Sequence, residues 1–312
     1  MDQKQNCNSG LICDRLPLLS ANYPWLVAQI FEEEEEEVED EEEQKEEEEV
    51  EGEDEDEEED NGYQIFYTVH DPMSHYRCQI PELLGRHIRG CFHGWVVLSN
   101  GDKWSLWNPI TSKFIHLPHL ILKDGDFDDI AHCCLSSPPD GPGSVLLLTR
   151  YRNPKIVFCR LDRKRKRLRW TEMSCSKQLM SITNREDDFL FHPTCCKGKV
   201  YALADCSNCV IEVRIVVKEK EVVISLLPFM DLPAFYTNGH NFLRFLKGSC
   251  EELFSISRGF TDLSMKKVVD VCLGKLDMTS MVWVEMNELK GMVFFVDVGW
   301  APSVTCSPAI AS

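Results

Sequence analysis

Short apolar runs of β type, each closed off by Gly, Pro, Asn or Asp, make up most of the chain, and helical spacing is scarce. Four such runs follow a small or charged turn: WVVLS (95–99), SVLLLT (144–149), KVYALA (199–204) and ELFSIS (252–257). Their marker positions Val96, Val145, Val200 and Leu253 lie 49, 55 and 53 residues apart. A second series falls between them, built as strand, tight polar turn, then strand closing on an apolar or Leu-Pro step. Its members are SLWNPITSKFIHLP, FCRLDRKRKRLRWTEM, RIVVKEKEVVISLLP and GKLDMTSMVWVEM, with turn starts at Asn108, Asp162, Lys218 and Asp277, spaced 54, 56 and 59. The second and fourth members also share a Leu-Asp opening and a Trp-x-Glu-Met close.

Two interleaved series on one period of about 50 residues predict an all-β chain, a β-propeller of kelch-like blades. A four-stranded blade cannot cover both of its faces alone, so the pattern has to repeat. The alternative is a β-sandwich whose hairpins happen to be evenly spaced. Trp107, Trp170 and Trp283 are then expected at related hairpin positions, mostly buried. Two further strand-like runs, YPWLVAQI (23–30) and QIFYTV (64–69), precede the first repeat.

Charge changes the picture in one place. Glu32–Asp60 holds 24 acids and Lys45, a charge of −23, so the other 283 residues of a −19 chain sum to +4. Like charges with almost nothing apolar to bury do not collapse, so 32–60 is expected to be a disordered insertion in the loop between two strands. The organisation predicted is a flexible 1–22 segment followed by a propeller domain over 23–312, interrupted by that insertion. The start has no basic-then-apolar secretory pattern, and the longest apolar runs are too short for a membrane span. Fifteen cysteines, an odd number, read as reduced buried thiols, not as a disulfide framework. A cytoplasmic or nuclear location follows as the expectation, with no membrane.

The stretch CFHGWVVLSNGDKWSLWNPITSKFIHLP (91–118) resembles the plant F-box-associated kelch-like β-propeller family, whose C-terminal part is a domain of unknown function. The family's Trp-Leu, Gly-Trp, Asn-Pro-x-Thr and Leu-Pro elements look like Trp25–Leu26, Gly94–Trp95, Trp107–Asn108–Pro109–Ile110–Thr111 and Leu117–Pro118. Further on, Phe245–Leu253 and Lys275–Trp283 resemble two later family motifs. Two departures stand out. Asp14–Leu19 echoes the Leu-Pro opening of an F-box, but no three-helix module fits before Trp25, so the F-box is read as absent and binding to a Skp1-type ligase adaptor is not expected. The family also continues past PSVTCSPAIAS, so the last blade is expected to be incomplete.

Candidate chemistry is thin. RKRKRLR contains a candidate nuclear-import patch, Arg163, Lys164, Arg165, Lys166 and Arg167, or simply a solvated hairpin turn. Cys206–Cys209 has the spacing of half a zinc site, but Cys195 and Cys196 are adjacent and should face opposite ways on a strand. Cys91 and His93, two apart on an expected strand, would share a face, yet nothing nearby orients an imidazole. Phosphate-cradling, Ser-elbow and zinc-helix motifs are missing, so no enzyme, cofactor or metal is expected. The reading that results is a non-catalytic module for an unidentified protein partner, without direct nucleic-acid binding. Its alternatives are an acidic-tract binder of basic proteins such as histones, and a truncated family copy without selected activity.

Overall fold

The computed structural model describes residues 25–30, 63–68, 75–122, 129–161, 168–218, 221–233, 241–249, 251–288 (bar 262 and 266), 292–296 and 304–308. They fall into two compact units, 1–87 and 88–312. In the first, β1 (Trp25–Ile30), β2 (Tyr63–Thr68) and β3 (His75–Cys78) form an antiparallel sheet in that order. Trp25 pairs with Thr68 and Ile30 with Tyr63, so the strands flanking the acidic tract are partners. The tract itself and the 1–22 segment lie outside the described residues. Buried Gln64 accepts the Ile80 N–H at 2.9 Å, which anchors the 3-10 turn Pro81–Leu83.

The second unit is built from four antiparallel four-stranded blades. They are β4 (His87–Phe92), β5 (Trp95–Asn100), β6 (Lys103–Asn108) and β7 (Lys113–His116); β8 (Ile130–Leu135), β9 (Val145–Arg150), β10 (Asn153–Arg160) and β11 (Trp170–Ser174); β12 (Leu190–Cys196), β13 (Lys199–Ala204), β14 (Cys209–Val217) and β15 (Val222–Asp231); and β16 (Asn241–Gly248), β17 (Leu253–Phe260), β18 (Val268–Asp277) and β19 (Val282–Glu285). In every blade neighbours in sequence are neighbours in the sheet. A two-stranded sheet of β20 (Met292–Val296) and β21 (Val304–Pro308) follows. The first strands lie side by side from blade to blade, β8 beside β12 and β12 beside β16. This is a β-propeller architecture, and the sandwich alternative is set aside.

Both sequence series map onto fixed positions. The four apolar runs are the second strands β5, β9, β13 and β17, and the four turns join third to fourth strands. Second strands read as mainly apolar runs without period-2 alternation because both of their faces are covered. In β9, Leu146 and Leu148 pack toward the blade before, whereas Val145 and Leu147 pack toward the blade after. In β13 the split repeats: Val200, Ala202 and Ala204 face one way, Tyr201 and Leu203 the other. Each fully buried side chain of this kind contributes about 1.5–3 kcal/mol, so the stack of blades is its own core.

Turn chemistry explains the motifs. Asn108 Oδ1 accepts the N–H groups of Ile110 and Thr111 at 3.1 and 3.0 Å, and Pro109 fixes the backbone between them. Asp277 does the same in the last blade, accepting from Thr279 and Ser280. His93 (φ 53) and Gly94 (φ 76) form the β4–β5 turn, both left-handed, as a type I′ hairpin requires. Lys197 (φ 49) and Gly198 (φ 71) repeat it between β12 and β13. His93 is therefore in the turn, not on a strand beside Cys91; its Nε2 lies 3.2 Å from the Leu135 carbonyl. The shared-face expectation for that pair is wrong because the turn begins one residue earlier.

One helix had no counterpart in the sequence reading. α1 (Ser176–Thr183) follows β11, buries Leu179 between blades, and accepts the Leu226 N–H at Gln178 Oε1 (2.8 Å). Its eight residues carry too short an apolar stripe to stand out from strand-like sequence.

Candidate functional site

First strands sit closest to one another and decide what lines the inner face of the blade stack. β4, β8, β12 and β16 carry His87, Arg89, His132, His192, Arg244 and Lys247, and no Asp or Glu. The second strands β5, β9, β13 and β17 add Arg150, Lys199 and Arg258, again with no Asp or Glu. Arg150 is fully buried and already committed: Asp129 and Glu172 hold its guanidinium at 2.7 and 3.1 Å. The acids of the blades stand on third and fourth strands, as Glu172 and Glu212 do.

Two β-bulges shape this face. The β8–β9 register shifts between Ile130 and His132, and the β12–β13 register shifts between Phe191 and Thr194. Bulges re-aim a side chain, and His192 at φ 47 takes the left-handed backbone that a non-glycine residue rarely adopts. The result is an imidazole pair, His132 and His192, with ring centroids 4.2 Å apart and planes at 69°. His192 also packs on Phe191 and on Phe245 at 4.7 and 4.9 Å. Neither ring nitrogen of His132 has a hydrogen-bond partner among the described residues, and both are out of water.

Electrostatics follow from that packing. Burial, then the neighbouring Arg89 charge, holds the His132 imidazole down at about 4. His192 is lowered in the same way by burial, with His132 and Arg258 adding to it. Arg89 donates to Ser99 Oγ at 2.7 Å and lies 5.9 Å over the Trp104 ring. Arg258, 4% exposed, stacks over Phe245 and Phe260 at 4.8 and 5.5 Å. Arg244 covers the ring of Phe242, itself 47% exposed, at 4.5 Å. Burial pushes the thiols of Cys133, Cys159 and Cys175 up to about 12 and Cys196 to about 11, which keeps them as poorly nucleophilic thiols.

The residues singled out in the sequence are placed as follows. Trp95 and Trp107 are buried between the first two blades, and Leu117 closes the same cluster. Trp170 and Trp283 both open the way to a shared device: each sits on a fourth strand and reaches back to the previous blade. Trp170 Nε1 donates to the Pro118 carbonyl at 2.7 Å, and Trp283 Nε1 to the Asp231 carbonyl at 2.9 Å. Both residues are only partly buried, a correction to the expectation, because they stand on the last strand of their blades, which is covered less than the second strand. Trp25 belongs to β1, with its side chain outside the described residues. Arg163–Arg167 also lies outside them. Cys195 and Cys196 pack into different clusters, hence on opposite faces. Cys206 binds through its N–H to Asp188 at 3.0 Å, and no metal-holding group of His, Cys, Asp and Glu occurs among the described residues. The inner-face residues Arg89, His132, Arg244 and Arg258 were missed. The signal available was the absence of acids from every first and second strand, legible only once the strands are assigned to blades.

Fold and inner face together define a β-propeller. The chain matches the KIB1-4 beta-propeller family over residues 66–309, and it belongs to that family. No curated protein matches it closely enough to count as a relative. No helix among the described residues is long and apolar enough to cross a membrane.

Proposed function

We propose that this chain is a non-catalytic protein-interaction module, similar to the recognition half of plant F-box proteins with kelch-like propellers. The observation that carries this reading is how the blades spend their chemistry. Asn108 and Asp277 are committed to turns, Trp170 and Trp283 to blade-to-blade bonds, and the buried thiols are pushed out of the reactive range. A repeated scaffold whose reactive groups are spent on its own architecture suits recognition better than bond-making. The family resemblance at 91–118 supports the same role. In this reading the chain contacts its partner without direct binding to a ligase adaptor, without nucleic acid and without a cofactor, in the cytoplasm or nucleus.

The test is affinity purification of the full chain beside a chain lacking Glu32–Asp60. The proposal expects the same partner from both. Recovery of basic proteins such as histones by the full chain alone would instead favour the acidic tract as the binding element. Purified adaptor passed over the immobilised chain, beside a relative with an intact F-box, tests the second half. Equal retention on both would overturn it.

A further inference from the structure

The third strands differ in how far an outer neighbour covers them. In the second and third blades the fourth strand runs along most of the third: β11 pairs with Lys155–Cys159 of β10, and β15 with Cys209–Val217 of β14. In the fourth blade β19 pairs only with Gly274–Asp277 of the ten-residue β18. Met286 adds one bond, its N–H to the Leu273 carbonyl at 2.8 Å, and the chain then bends at Asn287. The outer edge of β18 continues past the end of its neighbour.

Alternation along the strand fixes what that edge offers. β18 is regular here, its one register shift lying before Asp270. The Leu273 carbonyl points toward β19, so Val271, two residues earlier, turns its own N–H and C=O the same way. Neither group has a partner among the described residues. The Val271 side chain stands on the same side of the sheet as Leu273, and so does Val284, opposite Lys275. Leu273 packs with Phe245, Phe254 and Ile256, and Val271 and Val284 carry that apolar surface out into water, 56% and 54% exposed. The other side of the sheet bears the exposed Glu285, opposite Gly274. An open edge with an apolar face is a template for a further strand.

The two sides of the sheet decide the occupant. A strand laid antiparallel against Val271, in line with β19, sets alternate side chains beside Val271 and Val284 and the side chains between them on the Glu285 side. The first set calls for apolar residues and the second for a cation. A second copy of this chain suits the edge poorly, since each copy brings its own Glu285 and a net charge of −19.

We propose that the open edge of β18 at Val271 binds, by strand addition, an extended segment of a partner protein with apolar residues at alternate positions and a Lys or Arg between them. This rests on the interaction-module reading and names the surface and the chemistry of its partner. Main-chain bonds to Val271 supply the attachment, and Val271, Val284 and Glu285 select the side chains.

The test is fluorescence anisotropy of a labelled Ser-Val-Lys-Val-Ser-Val-Ser peptide titrated with the full chain. Two altered peptides run alongside: one N-methylated at its valines, which cannot donate to the Val271 carbonyl, and one with Glu in place of Lys. Each is expected to bind at least about tenfold more weakly. Val271→Lys, which charges the edge, and Val271→Pro, which removes its outward N–H, should each weaken the first peptide about tenfold or more. Val271 is exposed, so the thermal melt of Val271→Lys should match that of the parent chain, and this variant decides alone where the proline breaks the strand. No binding of the first peptide, equal binding of its N-methylated form, or unchanged affinity in Val271→Lys would each overturn the proposal. So would sedimentation showing a dimer that Val271→Lys dissolves, because the edge would then belong to a second copy. A partner recovered by affinity purification whose binding survives Val271→Lys would retain the interaction module and remove this site.

Discussion

Trp170 offers the sharpest test of how the blades are held together. Its indole donates to the Pro118 carbonyl at 2.7 Å and meets Trp104 edge-on, with centroids 6.2 Å apart and planes at 71°. Trp170→Phe keeps most of the ring and removes the donor. The lost bond contributes about 1 kcal/mol net, and a half-buried carbonyl left without its donor raises the cost to about 1–2 kcal/mol. Trp170→Ala also removes the ring contact, about 0.5–1.5 kcal/mol beyond burial, and leaves a gap at the blade interface. For a half-buried ring the total lies near the lower end of the 3–5 kcal/mol range of Trp-to-Ala changes, about 3 kcal/mol. Trp283 makes the same bond two blades later at 2.9 Å, but in a solvent-exposed setting, so Trp283→Phe should cost about 0.5 kcal/mol. The assay is urea unfolding followed by tryptophan-independent far-ultraviolet circular dichroism, with the midpoint read at constant slope. The order expected is Trp170→Ala, then Trp170→Phe, then Trp283→Phe. A Trp170→Phe midpoint equal to that of the parent chain would show that the indole bond contributes nothing and that the repeated staple is incidental.

Other outcomes follow from the same structure. A Cβ on Gly248 would stand 2.1 Å from the Cys195 carbonyl oxygen, so Gly248→Ala must part β12 from β16 and should cost about 1–3 kcal/mol of stability, read as a lower urea midpoint; an unchanged midpoint would refute the close approach. Arg150→Ala removes the buried guanidinium between Asp129 and Glu172, leaving Glu172 with Lys155 at 3.0 Å, and should cost about 3 kcal/mol, whereas double replacement with the neutral amides should recover part of it in a mutant cycle. His132 is held at about 4 in the fold against an ordinary 6.5, so the unfolded chain binds more protons between those values; its share of stability should fall by on the order of 3 kcal/mol as pH drops from about 6.5 to 4, and His132→Phe should make midpoint-against-pH measurements shallower, with the His192 share remaining. Deleting Glu32–Asp60 should leave the thermal midpoint nearly unchanged, because such a segment has almost nothing apolar to bury; a large drop would show that it contributes packing.

The sequence by itself determined the repeat. Second strands covered on both faces are apolar or small at most positions, so WVVLS, SVLLLT, KVYALA and ELFSIS announce their place from sequence alone. Turns with local side-chain caps are legible for a similar reason: the Asn108 and Asp277 bonds span only two or three residues. The helix α1 was hidden because one buried leucine in eight residues makes no periodic signal. Only the tertiary structure decided the inner face. His132 and His192 are 60 positions apart, and Arg89 and Arg258 farther still, and no local pattern ties them. The stacking of first strands brings them together, and bulges at two of those strands turn the imidazoles toward each other. Contacts between residues a blade apart are fixed by how sheets pack, and composition along one strand does not encode them.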